Sequence, residues 1–581
     1  MKRTGGSLVR QALEDEGIEL TFGIPGTHNI ELYDALAESE RVRPVLVTDE
    51  QGASFMADGA WRASGRMACV NVVPGAGLTH ALSGIAEAWM DNVPMLVLGC
   101  GIRRDSGRAY QLHDIDQMAL VEPVVKAAFR PLRGDEVYRC IREACRIARS
   151  GAPGPVFVEI PANLYMMLQD ASDEDLSPPE APAGLHAGRG PYPEPAVVDR
   201  VVELLGQWRR PLIYLGAGAA VAHERLVELA ERLEAPVSTT FQGKGVFPET
   251  HPLWLWPGFG DAAPAFARRL AATCDGVLAI GCRFSEVGTG SYGLTLPGPL
   301  IHCDVDADVP GRNYPAEVAV HADAEAFVTA LLERLDAPRD PDEGLRRAIA
   351  EGHAEVERAW EAETGGSRVT PYALLRGLQR ALGPEAVYTA DSGNGTFLAM
   401  EILRLEGPGH FLAPVDYSCM GYSVPAAVGA RLACPDRPVV ALAGDGAFLM
   451  TGLETLTSVA HGAGTMIFVL RDRELAQIAQ FQGTALNRKV ASELPDYQVE
   501  GFARALGAEY LRVDRDDDVE DAVRAAWDHA REGRTTLAHV EIDYGVRTYF
   551  TKGVVKTNLH RLPLGERLRY VSRALLRRVT G

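Results

Sequence analysis

Two acidic residues, Asp445 and Asp472, lie 27 positions apart, and each follows an apolar run that predicts a β-strand. The first run leads into the turn Gly444-Asp445-Gly446, and the apolar spacing over residues 451–461 predicts a helix between the two strands. A strand-helix-strand crossover makes the strands parallel, so both carboxylates are expected at the same edge of one sheet. Hard oxygen donors beside a glycine turn suit Mg²⁺ that carries a diphosphate.

Composition limits the kinds of protein that this chain can be. It has 581 residues, 46% of them hydrophobic, and a net charge of −20, which argues against sequence-independent nucleic-acid binding. No apolar run is long enough to span a bilayer, and the N-terminal residues contain no apolar signal core. Nine scattered cysteines are typical of reduced thiols. We therefore expect a cytoplasmic protein that acts on a small molecule.

The order of the predicted elements indicates the fold class. Short apolar strands alternate with amphipathic helices nearly throughout, which predicts α/β domains with doubly wound, mainly parallel sheets covered by helices. Two segments have the composition of linkers: residues 169–196 are rich in Pro, Gly and acidic residues, and residues 336–344 form a shorter break. The expected units are three domains and a basic tail, with bounds 1–168, 190–336, 345–550 and 551–581.

The tail differs from the rest of the chain in charge. Residues 551–581 contain eight Lys or Arg and one acidic residue, Glu566. Leu568, Val571, Leu575 and Val579 fall on one face of a predicted helix. The interpretation that we favour is a solvated helix docked on the acidic body. The alternatives are a helix that binds a partner or a membrane surface, and a lid over an active site.

Taken together, these motifs resemble those of the thiamine-diphosphate-dependent enzymes, in the acetolactate synthase and 2-oxo acid decarboxylase branch, over residues 5–550. The diphosphate-metal motif of that family begins with Gly-Asp-Gly and closes with a metal-binding Asn or Asp, here Asp472. Arg471 and Asp472 stand where the family usually has Asn-Asn, and an Asp at the second place is similar to catabolic acetolactate synthases. The resemblance implies the thiamine-diphosphate-binding fold of the pyruvate oxidase and decarboxylase type, with pyrimidine-binding, central and diphosphate-binding domains.

Residues 48–53 resemble the activating-glutamate segment of the family, with Glu50 as that glutamate. A carboxyl group bonded to the pyrimidine ring of the coenzyme favours the imino tautomer, whose nitrogen removes the C2 proton. A poorly solvated acid with a raised pKa suits this task. By itself Glu50 could equally be a helix N-terminal carboxylate that faces the helix dipole. Beside the metal motif, the catalytic role is favoured.

The resemblance also implies the remaining coenzyme and metal contacts. Met420 takes the place of the bulky apolar residue that supports the bent coenzyme, and the Ser418 carbonyl would accept from the amino group of the pyrimidine. The implied cofactors are thiamine diphosphate and Mg²⁺, with the ion held by Asp445, Asp472 and the Glu474 carbonyl. The implied coenzyme contacts are Glu50, Gly75, Ser392, Gly393, Asn394, Gly395, Thr396, Ser418, Met420, Gly444, Asp445, Gly446, Ala447 and Asp472.

Three histidines lie in loops that the resemblance places near the coenzyme. His28 stands where catabolic acetolactate synthases have Lys, and it could hold a substrate carboxylate as a cation or as a hydrogen-bond donor. His113 stands where acetolactate synthases carry Gln and several decarboxylases carry His. We expect His28 and His113 to be catalytic, in substrate binding and proton transfer. His80, where the family commonly has Asn, is expected to be structural.

The middle domain resembles one that holds FAD in biosynthetic acetolactate synthases. The similar segments are residues 215–218, 241–245 and 281–284. The Asp-Asp-Arg run expected after Phe284 is Ser285-Glu286-Val287 in this chain, and the missing Arg puts FAD binding in doubt. The glycine pattern does not restore it, because a short Gly-x-Gly after a strand is common in α/β domains.

The activity that we expect first is that of a lyase or transferase like acetolactate synthase, which decarboxylates a 2-oxo acid and then joins two carbon units. The alternatives are a non-oxidative decarboxylase of a larger 2-oxo acid, a C–C hydrolase of the same family, and an inactive coenzyme-binding subunit. A Rossmann-type dehydrogenase is disfavoured because no Gly-x-Gly-x-x-Gly opens a helix with an acid at the right distance. In the family, the active site forms between the first domain of one subunit and the third of another. A homodimer is therefore the minimum, and a homotetramer is the expected assembly.

Overall fold

Three parallel sheets, one after another along the chain, form the protein. The computed structural model describes residues 2–171, 176–177, 185–186, 189–553 and 562–580. Each of these three sheets has six strands, and all the neighbouring strands within it run parallel. Two short antiparallel pairs lie outside them, Lys2–Thr4 with Leu168–Asp170 and Leu185–His186 with Gly190–Pro191. The predicted α/β fold class is therefore confirmed. The exact domain bounds remain predictions, and residues 172–175, 178–184, 187–188 and 554–561 of the predicted linker and tail lie outside the described residues.

The strands follow a doubly wound order in each sheet. In spatial order, the first sheet contains Arg43–Leu46, Leu20–Gly23, Cys69–Val72, Met95–Gly101, Pro155–Pro161 and Ala128–Phe129. The central sheet contains Trp254–Pro257, Val237–Thr239, Pro211–Leu215, Gly276–Ile280, Leu300–Asp304 and Val318–His321. The third sheet contains Phe411–Leu412, Val387–Ala390, Val439–Gly444, Met466–Arg471, Thr536–Glu541 and Glu509–Val513.

The central strands of these sheets are buried runs rich in Val, Ile and Leu, as expected for parallel sheets, while edge strands such as Arg43–Leu46 and Val318–His321 are partly exposed. Helices cover the sheets. Around the first sheet they are Gly5–Asp15, Ile30–Ala37, Glu50–Ser64, Ala76–Met90, Gln117–Val121, Gly134–Arg149 and Ala162–Met166. Around the central sheet they are Pro195–Gln207, His223–Leu233, Ala265–Ala271, Ala324–Arg334 and Glu343–Glu361. The later ones are Pro371–Leu382, Asn394–Ile402, Ser423–Ala433, Asp445–Thr451, Thr455–Ala460, Ala476–Leu486, Val499–Leu506, Val519–Arg531 and Leu564–Thr580.

The crossover after Gly444 differs from the prediction in one respect. The helix was expected over residues 451–461, but helical structure begins at Asp445, directly after the strand. A 3₁₀ turn, Gly452–Glu454, separates this first helix from Thr455–Ala460. The early start places the amides of the first helical turn beside Asp445, where a helix N-terminus attracts anions.

Two glycines let the first and third domains approach closely. A Cβ atom at Gly59 would lie 2.2 Å from the Ala426 carbonyl oxygen, and one at Gly429 would lie 2.0 Å from the Met56 carbonyl oxygen. Helix Glu50–Ser64 and helix Ser423–Ala433 therefore cross with their backbones in contact, which only residues without a side chain permit. This crossing fixes the first domain on the third.

The tail contains the predicted helix, and Arg577 near its end contacts the end of helix Ala476–Leu486. Arg577 Nη1 donates to the Leu486 carbonyl at 3.1 Å, and Asn487 Nδ2 donates to the Arg577 carbonyl at 3.1 Å. In the described part of the chain, every helix is too short or too polar to cross a membrane.

A buried ion pair joins the central domain to the third. Lys244 Nζ donates to Glu249 Oε2 at 2.8 Å and to the carbonyl oxygens of Met400 and Leu403 at 3.1 and 3.0 Å. Both side chains are nearly inaccessible to solvent, with exposed fractions of 1% and 0%. Burial lowers the pKa of Lys244 to about 8, although the neighbouring Glu249 carboxylate favours the charged form.

We predict that Lys244→Met destabilises the protein by about 3–5 kcal/mol, because it leaves the Glu249 carboxylate buried without a counter-charge. Chemical denaturation followed by circular dichroism measures the loss. Arg524→Met removes the exposed partner of Glu520 and is the control, with an expected change of at most about 1 kcal/mol. Equal losses in the two variants would contradict the role given to the buried pair.

Candidate active site

The carboxyl edge of the third sheet holds both acidic residues of the metal motif. Asp445 follows strand Val439–Gly444, and Asp472 follows the neighbouring strand Met466–Arg471. The two strands pair in parallel with Gly444 opposite Leu470. The carboxylates therefore leave the sheet at one edge, as the crossover argument predicted.

The negative charge of Asp445 makes ionisation of Asp472 less favourable. Burial raises the pKa of Asp445, and burial together with the charge on Asp445 raises the pKa of Asp472 to about 7. The amide of Arg473 donates to Asp445 Oδ2 at 2.8 Å, and the amide of Glu474 donates to Asp472 Oδ1 at 3.3 Å. Two buried oxygen donors of like charge fit a divalent cation, which would remove their repulsion.

Arg471 supplies a positive charge at the same place. Its side chain has 0% exposure, and Nη1 lies 3.4 Å from Asp445 Oδ2. The guanidinium carbon lies 3.9 Å from the centre of the Tyr497 ring, and Nη2 donates to Asp496 Oδ1 at 2.5 Å. Because the usual Asn of the motif is replaced by this buried cation, the site holds one more negative and one more positive group than an Asn-Asn site would.

Asp391 organises the second predicted diphosphate loop. Its carboxylate accepts from the amides of Ser392 and Gly421 at 3.0 and 2.9 Å, and from the amide and hydroxyl of Ser423 at 2.9 Å each. Burial raises the pKa of Asp391 to about 6 despite these donors. The carboxylate thereby joins the loop at 391–396 to the segment before helix Ser423–Ala433.

The predicted coenzyme loops meet at this edge. Ser392 Oγ lies 2.8 Å from Ser418 Oγ. Gly393 has a φ of 130°, which glycine adopts without strain, and it precedes helix Asn394–Ile402, whose first turn contains the rest of the predicted loop. The free amides of such a turn suit a phosphate group.

Met420 lies beside the glycine turn, as the resemblance implies. A Cβ atom at Gly446 would come within 3.7 Å of Met420 Cε and 2.6 Å of Leu475 Cδ2. Side chains of Leu475 and Met420 thus fill the space beside Gly446, and the neighbouring Ala447 is 3% exposed. The loop residues, Met420 and the acidic pair are thus brought to one edge.

Glu50 lies in the first domain, at the start of helix Glu50–Ser64, and its side chain is nearly buried at 7% exposure. Asp49 caps the helix by accepting from the Gln51 amide at 2.8 Å. His80 Nδ1 lies 3.7 Å from Glu50 Oε2 and 3.4 Å from Asp49 Oδ2. His80, predicted to be structural, therefore lies beside the predicted activating acid.

A carboxylate of the third domain holds the segment that precedes Glu50. Glu454 Oε1 accepts from the amides of Thr48 and Asp49 at 3.2 and 3.1 Å, and Thr457 donates to Oε2 at 2.5 Å. Burial raises the pKa of Glu454. The position of Glu50 therefore depends on a residue more than 400 positions away.

The two histidines predicted to be catalytic lie together. The ring centres of His28 and His113 are 5.7 Å apart in an edge-to-face arrangement. Burial, and then the neighbouring His113, lower the pKa of His28, so a neutral ring is favoured. Gln117 positions the nearby loop by accepting from the Gly75 amide at 3.0 Å and donating to the Cys100 carbonyl at 3.1 Å.

A buried charged network supports the segment around Met420 from the first domain. Glu87 Oε2 accepts from the Cys419 amide at 3.0 Å. Arg62 pairs with Asp58 and with Asp91, at 2.7 Å each. Burial and the charge of Asp91 raise the pKa of Glu87 to about 9, which favours the protonated form of this carboxyl at neutral pH.

Sequence reasoning missed this network and Glu454. One signal was available, because Asp58 and Arg62 are spaced four residues apart on one helix, and Glu87 lies four residues before Asp91, which directly follows the next helix. Glu454 offers no such local signal, since its partners come from another domain.

The chain is similar to known proteins over most of its length. Three family models match in order: thiamine pyrophosphate enzyme, N-terminal TPP binding domain, over residues 3–120; central domain, over 198–331; and C-terminal TPP binding domain, over 391–540. The acetolactate synthase large subunit of Corynebacterium glutamicum is 31% identical over 90% of this chain and 85% of that protein. The chain belongs to the thiamine pyrophosphate enzyme family.

Other relatives span nearly the same length. Acetolactate synthase isozyme 3 large subunit of Escherichia coli is 27% identical over 94% of this chain and 96% of that protein. The probable acetolactate synthase large subunit of Methanocaldococcus jannaschii is 29% identical over 90% of this chain and 89% of that protein. The two TPP (thiamine diphosphate) binding domains contain the two groups of predicted site residues, one around Glu50 and one around Asp445.

In this member of the family, a large cleft lies beside the central sheet. Its volume is about 710 Å³, and its walls include the glycine turn 216–218, Arg283 and Asp304. Arg283 is already engaged, since its Nη2 lies 2.8 Å from Asp416 Oδ2 and donates to the Met90 carbonyl at 2.5 Å. Burial raises the pKa of Asp304, at the end of its strand, to about 6.

We predict that Arg471→Met lowers the stability of the coenzyme-free protein by about 3–5 kcal/mol, since Asp445 then has no buried counter-charge. Mg²⁺ with thiamine diphosphate should recover more stability in this variant than in the wild type, because the ion replaces the lost charge. Chemical denaturation with and without both ligands measures the difference. Arg473→Met, which removes the half-exposed partner of Glu541, is the control. The same gain from the ligands in Arg471→Met and wild type would contradict the role of Arg471.

We predict that Glu87→Gln becomes progressively more stable than wild type as the pH rises. A carboxyl whose pKa is raised from 4.5 to about 9 on folding retains its proton while the unfolded chain loses it, so the wild type loses stability across this window. Between pH 6 and pH 8 the difference should grow by about 1–2 kcal/mol. Urea denaturation at both pH values measures it, with Glu532→Gln at an exposed glutamate as the control. A difference that does not change with pH would show that Glu87 is ionised in the folded protein.

Proposed function

We propose that this protein is an acetolactate-synthase-like enzyme that uses thiamine diphosphate and Mg²⁺. It decarboxylates a 2-oxo acid and joins the remaining carbon unit to a second carbonyl compound. The observation that carries the proposal is the shared sheet edge of Asp445 and Asp472, with the coenzyme loops around it, in a chain whose relatives are named acetolactate synthases.

The residues at that edge fit the two cofactors. Asp445, Asp472 and the Glu474 carbonyl would hold Mg²⁺, since all three offer hard oxygen donors. The diphosphate would lie against the glycine turn 444–446 and the helix start at 394–396, where amides are free to bind it. Bound thiamine diphosphate supplies a carbon nucleophile and accepts the electron pair that decarboxylation releases.

Glu50 would hold a proton at the pyrimidine ring of the coenzyme. Its side chain is buried at the start of its helix, and the Glu454 contacts fix the backbone just before it. The Glu50 carboxylate lies beside His80 of its own domain. The predicted diphosphate site is in the third domain. We therefore propose that Glu50 serves the coenzyme of a partner subunit.

An apolar surface beside Asp445 supports a dimer as the smallest active unit. Leu449, Met450, Leu453 and Leu456 follow Asp445 along the chain and are 46%, 59%, 55% and 43% exposed. A patch of this kind next to an incomplete site is typical of a protein interface. The homotetramer is proposed on the family resemblance alone.

His28 and His113 are the proposed substrate contacts. A neutral His28 donates one hydrogen bond to a carboxylate, and the facing His113 can give or take the proton of the reacting oxygen. The same pair supports the second candidate function, decarboxylation of a larger 2-oxo acid without carboligation, because several decarboxylases of this branch have a histidine where His113 stands.

The proposed reaction does not require FAD. The reaction transfers no net electrons, and in the central cleft Arg283 is taken up by Asp416 while Ser285-Glu286-Val287 replaces the expected Asp-Asp-Arg. A cytoplasmic location is part of the proposal, supported by nine cysteines that are all free thiols.

Incubation of the purified protein with ¹³C-pyruvate, thiamine diphosphate and Mg²⁺ tests the proposal by NMR. We expect acetolactate, which gives acetoin after acid treatment, and a loss of about 100-fold or more in Glu50→Gln. Glu38→Gln, at an exposed glutamate of the same domain, is the control. Free aldehyde as the sole product would favour the decarboxylase instead.

Absence of turnover leads to a second measurement, H/D exchange at C2 of the coenzyme. Exchange faster than that of free thiamine diphosphate, and slowed in Glu50→Gln, would show that the protein activates the coenzyme. The substrate would then be a larger 2-oxo acid or that of a C–C hydrolase. Exchange no faster than free coenzyme would overturn the proposed function in favour of an inactive coenzyme-binding subunit.

A further inference from the structure

His80 has two acidic neighbours, although the sequence predicted only a structural role for it. It stands on the second turn of helix Ala76–Met90, beside the start of helix Glu50–Ser64. Its Nδ1 lies 3.4 Å from Asp49 Oδ2 and 3.7 Å from Glu50 Oε2. Both distances exceed the usual length of a hydrogen bond, and both are typical of ion pairs. The interaction of His80 with the two acids is therefore one between charges.

The same helix leaves room for the Glu50 carboxyl group. Gly77 precedes His80 by three residues, so both positions lie on one face of the helix. A Cβ atom at Gly77 would lie 2.8 Å from Glu50 Oε1, while Oε2 is the oxygen beside His80. The helix thus holds the carboxyl group with one oxygen against glycine and the other toward the imidazole ring.

The other titratable groups around this pair offer no positive charge. Among the described residues, no lysine or arginine comes within ion-pair distance of Asp49 or Glu50, and His80 is the basic side chain that does. Glu454, which accepts from the Asp49 amide, adds another acidic group. Tyr33 is neutral, because burial raises its pKa. A protonated His80 is therefore the positive charge that the described chain can place beside Glu50.

We propose that His80 is a positioning residue for Glu50, and that its positive charge favours transfer of the Glu50 proton to the coenzyme. The inference rests on the proposed function, in which Glu50 holds a proton at the pyrimidine ring. When that proton moves, the O–H bond of Glu50 breaks, an N–H bond forms on the ring, and a carboxylate remains. An imidazolium 3.7 Å away stabilises this carboxylate and keeps its own proton. The reverse transfer restores the Glu50 carboxyl group.

The distance indicates the size of the effect. An opposite charge within about 4–6 Å lowers the pKa of a carboxyl group by about 1–3 units. Asp49 shares the charge of His80, so we expect an effect at the lower end of that range. The proton transfer should then be favoured about tenfold by the charge of His80.

H/D exchange at C2 of bound thiamine diphosphate, followed by NMR at pH 6, tests the proposal. His80→Asn retains a hydrogen-bond donor without a charge, and it should exchange about tenfold more slowly than the wild type. His80→Lys retains a positive charge and should stay within about threefold of the wild type. His321→Asn, at an exposed histidine of the central sheet, is the matched control and should exchange at the wild-type rate. A Lys variant as slow as the Asn variant would overturn the proposal.

The pH dependence distinguishes the charge of His80 from a merely structural role. An imidazole loses its proton as the pH rises through the neutral range, whereas a lysine side chain keeps its proton. The ratio of the wild-type rate to the His80→Asn rate should therefore fall from about ten at pH 6 toward about one at pH 8.5. The ratio of the His80→Lys rate to the His80→Asn rate should stay the same. A wild-type advantage that does not depend on pH would contradict the proposal.

Coenzyme affinity gives a readout that does not depend on activation. Calorimetry in the presence of Mg²⁺ should give a Kd for thiamine diphosphate within about threefold of wild type in both His80 variants, since His80 acts on Glu50. Binding that is much weaker in both variants, with wild-type exchange at saturation, would assign His80 to coenzyme binding and overturn its proposed role.

A double-mutant cycle in the coenzyme-free protein separates this inference from the proposed function. Urea denaturation of His80→Asn, Glu50→Gln and the double variant should give non-additive unfolding constants, by about threefold at pH 6, and additive ones at pH 8.5. Additive effects at both pH values would overturn the charge link even in an active enzyme. Coupling at pH 6 in a protein that does not accelerate C2 exchange would instead show that the proposed function had failed.

Discussion

The close crossing of helix Glu50–Ser64 and helix Ser423–Ala433 is the constraint on which the predicted site depends. Gly59 and Gly429 allow carbonyl oxygens of the opposite helix to reach positions that any Cβ atom would occupy. The first helix begins at Glu50, and the second follows directly on the segment that contains Ser418 and Met420. A change in this crossing would therefore move the predicted activating acid and the coenzyme-supporting segment together.

Buried charge is distributed around that crossing so that nearly every group has a partner of opposite charge or a shared proton. Arg62 lies between Asp58 and Asp91, Glu87 keeps its proton, and Arg471 lies against Asp445. Charges so deeply buried are costly to desolvate, and they persist because their geometry is favourable on all sides. The predicted metal motif also pairs opposite charges. Arg471 and Asp472 stand where the family usually has Asn-Asn, so one positive and one negative residue replace two neutral ones.

The sequence was sufficient for the features that depend on local pattern. The alternation of strands and helices predicted three parallel α/β sheets, and the strand-helix-strand argument placed Asp445 and Asp472 at one edge. The start of the helix at Asp445 was missed because apolar periodicity becomes visible only after 451, where it comes from residues such as Leu453 and Leu456 that are exposed in this chain. Glu454, and the direction in which the Arg471 side chain points, depend on contacts between distant segments, which spacing along the chain does not encode.

The tail helix is a second case in which the sequence pattern does not determine the contacts. Periodicity correctly predicted a helix and an apolar face, and the common behaviour of amphipathic helices suggested that this face would be covered by the body. The structure instead places Arg577 against helix Ala476–Leu486 and leaves Leu568 and Leu575 exposed. An amphipathic pattern defines two faces but not which of them meets the protein, because that choice depends on the surface available.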